Sequence, residues 1–274
     1  MESFIPVLKS SLVIMTPILF AAAGGLFPAL AGTLNIALEG LLLTGAFASI
    51  AVYHYSANAA ASIAAAVFAS VSLSALHAFG AYKLRANVFI SGLAVNLFAG
   101  GLCVVLSDRL FKTRGVVALT SVPGLLKLYL IFGLFMLAAA WLVIYKTPFG
   151  YRLRACEKNA NALVSLGIST RSYQTTALLI SGFFAGLGGS FLSLNLGAFV
   201  PGMSSGRGWI ALVVIFLGGR KPQGILAAAF IFALAEAFSN YAQGFLSIPA
   251  DFILAFPYLC TLVAMIAVSA FPKR

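Results

Sequence analysis

Ionisable and amide side chains inside apolar segments are the first candidates for chemistry in this chain. Only 8% of its 274 residues are charged, and six of them are Asp or Glu. Glu39 and Glu236 interrupt apolar stretches, where a charge costs roughly 2.5–3.5 kcal/mol on membrane-insertion scales. Each is therefore a residue of a transport pathway or a structural partner for a helix end or a basic side chain. Asn96 is either a hydrogen-bonding link between helices or a substrate ligand.

Sequence signatures of catalysis are missing. The chain has no G-x-x-x-x-G-K-[ST] phosphate-binding loop, no H-E-x-x-H and no G-x-S-x-G. Its two histidines, His54 and His77, are far apart, and Cys103, Cys156 and Cys260 have neither metal-ligand spacing nor a disulfide pattern. We expect no catalytic residue, no metal site and no cofactor in this chain.

The composition indicates that the segments that hold these residues lie in a membrane. Apolar residues make up 62% of the chain, and the mean hydropathy is +1.05. A soluble fold cannot bury that much apolar surface, and disordered chains are polar. Continuous apolar runs predict helices rather than a barrel. The predicted fold class is all-α, a polytopic transmembrane bundle of about 8–10 spans in one domain over 1–274, with segments at 11–30, 34–53, 59–80, 88–106, 125–145, 175–196, 208–219, 223–239 and 251–271.

The net charge of +11 indicates orientation in the bilayer rather than nucleic-acid binding, because the basic residues lie between apolar segments. The loop 146–174 holds five Lys or Arg and one acid, Glu157, so we predict that it is cytoplasmic, together with Arg220-Lys221 and Lys273-Arg274. Ala29-Leu30-Ala31 resembles a signal-peptide cleavage site. A Lys and a Glu among the first ten residues instead favour a retained first helix. The side of the N-terminus stays open.

A short helix is predicted within the loop 146–174. Pro148 and Gly150 break the incoming helix, and Asn159 can cap a helix that ends at Gly167. This helix either docks a protein partner or lies on the membrane surface. Its apolar side chains are Ala160, Ala162, Leu163 and Leu166.

Two further patterns concern packing and symmetry. The small residues at Gly182, Gly186, Gly189 and Ser190 predict close helix–helix contact. A weak internal match at an offset of 174 is what an internally repeated transporter would show. It pairs Gly32, Ile36, Ala37, Leu38, Leu43 and Gly45 with Gly206, Ile210, Ala211, Leu212, Leu217 and Gly219.

Four short sequence blocks, in the order in which they occur along the chain, resemble the permeases of bacterial nucleoside importers of the ATP-binding-cassette (ABC) type. They belong to a superfamily that also imports sugars and branched-chain amino acids. The first block, 32–47, is similar to the pattern N-I-x-x-E-G-x-x-L-x-G-A-F. The others are 86–96, 147–155 with 159–168, and 206–212 followed by 218–224. The nucleoside subgroup rests mainly on Asn35, Glu39 and Gly40.

This resemblance implies a division of labour between subunits. The chain would pair with a second, non-identical permease and with an extracytoplasmic substrate-binding protein. A cytoplasmic ABC ATPase that holds ATP and Mg²⁺ would dock on a coupling helix at 157–168. The residues assigned to ATPase coupling are Arg154, Glu157, Asn159, Ala162 and Gly167. Those assigned to the substrate pathway are Asn35, Glu39, Asn96 and Trp209, and Trp209 either stacks on a nucleobase or anchors at the membrane interface.

We therefore expect a non-enzymatic permease subunit in the bacterial inner membrane, surrounded by lipid and without a nucleic-acid partner. It would form a substrate pathway by alternating access, with nucleosides as the expected cargo. Within the class, the alternatives are ribose-like sugars and branched-chain amino acids. The alternative from another class is an ion-coupled secondary transporter, which also carries acids inside the membrane.

Overall fold

The computed structural model describes residues 4–119, 124 and 126–243, with side chains from residue 6 onward. Within these ranges the chain forms ten α-helices, one π-helical turn at Phe79–Lys83 and two short strands. The helices are α1 Phe4–Leu30, α2 Leu38–Ser56, α3 Ala59–Ala78, α4 Val88–Phe111, α5 Leu126–Lys146, α6 Pro148–Lys158, α7 Ala160–Ser165, α8 Thr170–Leu196, α9 Arg207–Leu217 and α10 Pro222–Ala242. The strands are β1 Val117–Ala118 and β2 Ala198–Phe199, and they pair antiparallel.

The predicted all-α polytopic bundle is confirmed. In the described part of the chain, six helices are long and apolar enough to cross a membrane: α1, α3, α4, α5, α8 and α10. The predicted segment 251–271, Cys260 and Lys273-Arg274 lie outside the described residues, so the number of spans stays a prediction. The segment predicted to start at 34 begins as helix only at Leu38. Gly32 ends the preceding helical run at φ +75°, a backbone conformation that glycine adopts without strain.

Two helices form the centre of the bundle. About four-fifths of the apolar stretch of α1 and of α8 is buried, against about a quarter in α3, α4 and α5. Phe20 of α1 packs edge-on against Tyr129 of α5 at 6.1 Å between ring centroids. The hydroxyl of Tyr129 meets Ser190 of α8 at 2.7 Å. The outer faces of α3, α4 and α5 are therefore left for lipid or for another protein.

The small residues of α8 let it approach two helices closely, as their spacing predicts. A Cβ atom on Gly186 would lie 2.7 Å from Val67 Cα in α3. A Cβ atom on Gly189 would overlap the carbonyl oxygen of Leu42 in α2. Such contacts between backbones favour helix association in lipid, where the hydrophobic effect between helices is weak.

The two ends of the bundle differ in charge. The first, here called the basic end, joins the loops 31–37, 84–87, 147–169 and 218–221. Its basic residues are Lys83, Arg85, Lys146, Arg152, Arg154, Lys158, Arg171, Arg220 and Lys221. The other, here called the strand end, contains β1 and β2, the loop 197–206 and the Arg109, Lys112 and Arg114 cluster. Helix α1 runs from the strand end to the basic end, because Val13 and Ile14 border a cavity with Asn195, whereas Ala31 accepts a hydrogen bond from Gln174.

Candidate functional site

An interruption between α1 and α2 lies at the centre of the candidate site. The carboxamide of Asn35 is fully buried there. Its Nδ2 donates to Ser181 Oγ of α8 at 2.8 Å, and its Oδ1 accepts the backbone N–H of Ala37 at 3.1 Å. An Asn side chain that bonds its own backbone two residues on competes with helix formation, which explains why α2 starts late.

Asn96 of α4 holds the other side of this interruption. Its Nδ2 donates to the carbonyl of Ile36 at 2.8 Å, and its Oδ1 accepts the N–H of Gly40 at 2.8 Å. At the basic end, Gln174 Nε2 donates to the carbonyl of Ala31 at 3.1 Å. Backbone groups left unpaired in lipid cost several kcal/mol each. These side chains therefore make a non-helical segment tolerable inside the bundle.

Glu39 joins the first turns of two helices. Its Oε1 accepts the N–H of Gly206 at 2.8 Å, and its Oε2 accepts the N–H of Gly208 at 2.7 Å. Both donors lie at the N-terminus of α9, where the helix dipole favours negative charge. Glu39 also stands in the first turn of α2, which has no side-chain cap. The carboxylate is thus stabilised by a helix end, the structural role that the sequence allowed for it.

Gly208 makes this contact possible and was not among the residues predicted from the sequence. A Cβ atom there would lie 2.6 Å from Glu39 Cα and closer still to Glu39 N. Gly206, which caps α9, has φ +80°, where other residues are strained. The signal available in the sequence was the pair of glycines flanking Arg207, immediately before an apolar run. We call the contact of Glu39 with Gly206 and Gly208 the Glu39 junction.

The second intramembrane acid, Glu236, and the predicted pathway residue Trp209 lie beside this junction. Arg207 Nη2 is 3.8 Å from Glu236 Oε1, and both side chains are about four-fifths buried. Arg207 Nη1 also donates to the carbonyl of Met203 at 3.1 Å. Trp209 follows Gly208 on α9, and 43% of its surface is exposed.

The structure therefore brings three predicted pathway residues, Asn35, Glu39 and Asn96, together around the start of α2. All three use their polar atoms in hydrogen bonds within the chain. Trp209 presents its ring outward. A role of these four residues in transport remains a prediction.

The short helix predicted after Asn159 is present as α7, and the helix α6, which was not predicted, precedes it. We call the two together the α6–α7 hairpin, residues 147–169. Thr147 caps α6, because its Oγ1 accepts the N–H of Gly150 at 3.3 Å. Asn159 caps α7 through Ala162 N at 3.2 Å, and Gly167 follows α7 with φ +74°. The helix expected over 157–168 is shorter, Ala160–Ser165, because Asn159 leaves helical geometry at φ −154°.

The outer side of the hairpin is apolar and open. Val164 and Leu166 are 62% and 74% exposed, and Ala162 and Gly167 are also exposed. Leu163, by contrast, is buried against the bundle. These exposed residues lie at the basic end of the bundle.

The polar residues predicted for coupling are bound within the chain. The Arg154 guanidinium lies over the rings of Tyr145 and Tyr151, at 4.8 and 5.1 Å from their centroids. Glu157 forms an ion pair with Arg220, which follows α9. Burial raises the pKa of the neighbouring Cys156 thiol. Among the described residues, no group of His, Cys, Asp or Glu is placed to hold a metal ion.

A polytopic helical bundle with a non-helical interruption at its centre and an open helical hairpin at one end is the architecture of a multi-pass membrane protein. The chain belongs to the family described as the permease component of branched-chain amino acid transport systems, which matches residues 7–268.

Individual relatives agree with this assignment. The chain is 30% identical to the guanosine ABC transporter permease protein NupQ of Bacillus subtilis, over 94% of this chain and 90% of the relative. It is 28% identical to the nucleoside ABC transporter permease protein NupC of Lactococcus lactis, with the same coverage. The fold is shared with PsaBC from Streptococcus pneumoniae in complex with Fab, at a TM-score of 0.59, 11% identity and coverage of 94% and 91%.

Proposed function

We propose that this chain is one of two permease subunits of an ATP-driven ABC importer for nucleosides in the bacterial inner membrane. The observation that carries the substrate class is similarity along nearly the whole chain to relatives named for guanosine and nucleoside transport. The basic end would face the cytoplasm, since loops rich in Lys and Arg stay on that side.

The α6–α7 hairpin supports the proposal of an ATPase partner. Val164 and Leu166 are exposed beside Lys158 and Arg171, so they lie at an aqueous end rather than in the hydrocarbon layer. An exposed apolar surface of this kind is typical of a protein interaction site. ATP and Mg²⁺ would be bound by the docked ATPase, and this chain would contribute the docking surface.

The open faces of α3, α4 and α5 offer a contact surface for a second membrane subunit as well as for lipid. The substrate pathway would run between the two permeases, with Trp209 on the wall contributed by this chain. A substrate-binding protein would dock at the strand end, around the loop 197–207. Alternating access would then be a switch between two packings of the helices around the Glu39 junction.

Co-purification and transport together test this proposal. The chain is extracted from its native membrane in mild detergent, and the co-purifying proteins are identified by mass spectrometry. We expect an ATPase with a phosphate-binding loop and a second polytopic permease. In proteoliposomes containing the complex and its binding protein, uptake of labelled guanosine should require ATP on the ATPase side.

Competition experiments separate the alternatives. Unlabelled nucleosides should block uptake, whereas ribose and leucine should leave it unchanged. Inhibition by ribose or leucine alone would move the chain to another substrate class of the superfamily. A chain that purifies alone and transports on an ion gradient without ATP would contradict the ABC assignment.

A further inference from the structure

We propose that α9 is a rigid connection that transmits the position of the α6–α7 hairpin to the Glu39 junction. This inference rests on the proposed function, because it assigns a route by which an ATPase docked on the hairpin would move the membrane helices. Helix α9 has 11 residues and is about 16 Å long at 1.5 Å per residue. It is too short to cross the bilayer, and each of its ends is attached to a different functional region.

The end of α9 nearest the hairpin is held through Arg220. Its guanidinium pairs with Glu157 of α6. The backbone of Arg220 is itself fixed to α9, because its N–H donates to the carbonyl of Ile215 at 2.9 Å. The ion pair and this backbone hydrogen bond together connect Glu157 to the last turn of α9.

The turn after α9 is also tightly packed. A Cβ atom on Gly218 would lie 2.5 Å from Gly224 C, at the start of α10. The α9–α10 turn therefore has little space in which to absorb movement. Lys158 and Lys221 are the charged residues directly adjacent to Glu157 and Arg220 in the sequence, and both are exposed.

The other end of α9 is held by Glu39. The carboxylate accepts two N–H groups of α9, from Gly206 and Gly208, so it follows both the position and the direction of the helix. The backbones of Gly208 and Glu39 touch, which leaves no gap for α9 to slide past α2. Any axial shift of α9 must therefore carry the first turn of α2 with it.

The hairpin touches the same region by a second, shorter route. A Cβ atom on Gly32 would lie 3.2 Å from Glu157 Cα, so Glu157 also packs against the interruption before α2. One residue of the hairpin thus contacts the segment that leads into α2 and, through Arg220, the helix that holds Glu39. Movement of Glu157 would act on both sides of the Glu39 junction together.

The ion pair offers a clean test because it contributes little to stability. Both side chains are 36% exposed, and exposed pairs have small effects on folding. The variants Glu157→Gln and Arg220→Gln each remove one charge. Lys221→Gln is the matched control, since it removes the adjacent charge, for which no ion pair is found within the described residues. The double variant Glu157→Arg/Arg220→Glu restores the pair in reverse.

The measurement is the number of nucleoside molecules imported per ATP hydrolysed by the complete complex in proteoliposomes. We expect a decrease of up to about fivefold for Glu157→Gln and Arg220→Gln, the largest factor that an exposed ion pair supports. ATPase co-purification and the thermal midpoint should stay native. The charge-reversed pair should recover most of the ratio, and Lys221→Gln should keep all of it.

Three results would overturn the inference: a native transport ratio in both single variants, loss of the ATPase from either one, or no recovery in the charge-reversed pair. Loss of the ATPase would assign the pair to docking instead. The proposed function is tested separately by the unaltered complex. If that complex shows no ATP-dependent nucleoside uptake, the proposed function fails, whereas native uptake with unaffected variants rejects only transmission through α9.

Discussion

The Glu39 junction and the α6–α7 hairpin differ in whether their side chains find partners within the chain. At the junction, a carboxylate and a non-helical segment are enclosed by the bundle, and their polar groups find partners within the chain. At the hairpin, Val164 and Leu166 are exposed and have no apolar cover within the described residues. The chain thus completes its own interior and leaves one surface for another protein.

The surroundings explain this difference. Inside a bilayer no water can satisfy a backbone N–H or a carboxylate, so the chain must provide every partner itself. At the aqueous end, water hydrates the hairpin backbone, and only its apolar side chains lack a favourable environment. Changes at the junction should therefore affect stability, whereas changes at the hairpin should affect assembly.

The largest effect is expected from Gly208→Ala. The added methyl would overlap the backbone of Glu39, and overpacking of this kind costs about 3 kcal/mol. The thermal midpoint of the purified chain in detergent should fall clearly. Gly100→Ala is the matched control, because Gly100 is also helical and has nothing of the described chain within 4 Å of the new methyl. Equal midpoints for the two variants would show that the close approach is unimportant.

Glu39→Gln should have the next largest effect. The amide keeps one acceptor oxygen but turns an NH₂ group toward the other backbone donor, and an unsatisfied buried donor costs about 2 kcal/mol. We expect a lower thermal midpoint, reduced uptake and an intact complex. Asp108→Asn, at an exposed ion pair of the strand end, is the control and should behave as the native chain. Native uptake by Glu39→Gln would remove this residue from the mechanism.

A charge on the hairpin should change assembly rather than stability. Leu166→Glu introduces a carboxylate at the most exposed large apolar side chain of the α6–α7 hairpin, and we expect about tenfold weaker ATPase binding, or about 1.4 kcal/mol. Gly167→Glu should also detach the ATPase, but it adds strain because Gly167 has φ +74°.

Pull-down of the ATPase from detergent extracts measures this effect. Val116→Glu places the same charge on another exposed apolar residue, at the strand end, and should retain the ATPase. If Leu166→Glu and Gly167→Glu both bind the ATPase like the native chain, the hairpin is not the docking surface.

The smallest effect is expected at the cap between the two hairpin helices. Asn159→Ala removes the acceptor for Ala162 N, which costs about 1 kcal/mol of local helix stability. Hydrogen exchange should become faster in α7 and stay unchanged in α2. Asn159→Ser keeps an acceptor and should restore protection. Faster exchange throughout the bundle would show that the hairpin is coupled to the interior more strongly than its exposure suggests.

Much of the fold could be predicted because apolar runs longer than about 18 residues have few alternatives to a membrane helix. The predicted limits of α3 and α5 lie within two residues of the observed ones, and those of α8 within five. The start of α2 was placed too early, because the Asn35 side chain accepts the N–H of Ala37 and is held in place by Ser181 of α8. Likewise, Asn159 was recognised as a cap, but its break between α6 and α7 was not.

The weak internal match pairs two glycines that share a backbone conformation. Gly32 and Gly206, which pair at the offset of 174, both adopt left-handed backbone angles before a helix starts. The two helices that follow meet head to head, with Glu39 of one holding the first turn of the other. The sequence could suggest an internal repeat, but it could not show that the two matched segments contact each other.

The sequence by itself determined the membrane environment, the positions of most helices, the charged end and the family blocks. These follow from local composition and spacing, because lipid admits few backbone structures and Lys and Arg mark one side. Only the tertiary structure decided what Glu39 binds, why Gly208 is needed and which residue pairs with Glu157. Those contacts join positions between 63 and 169 residues apart, and such pairings depend on how complete helices pack against one another.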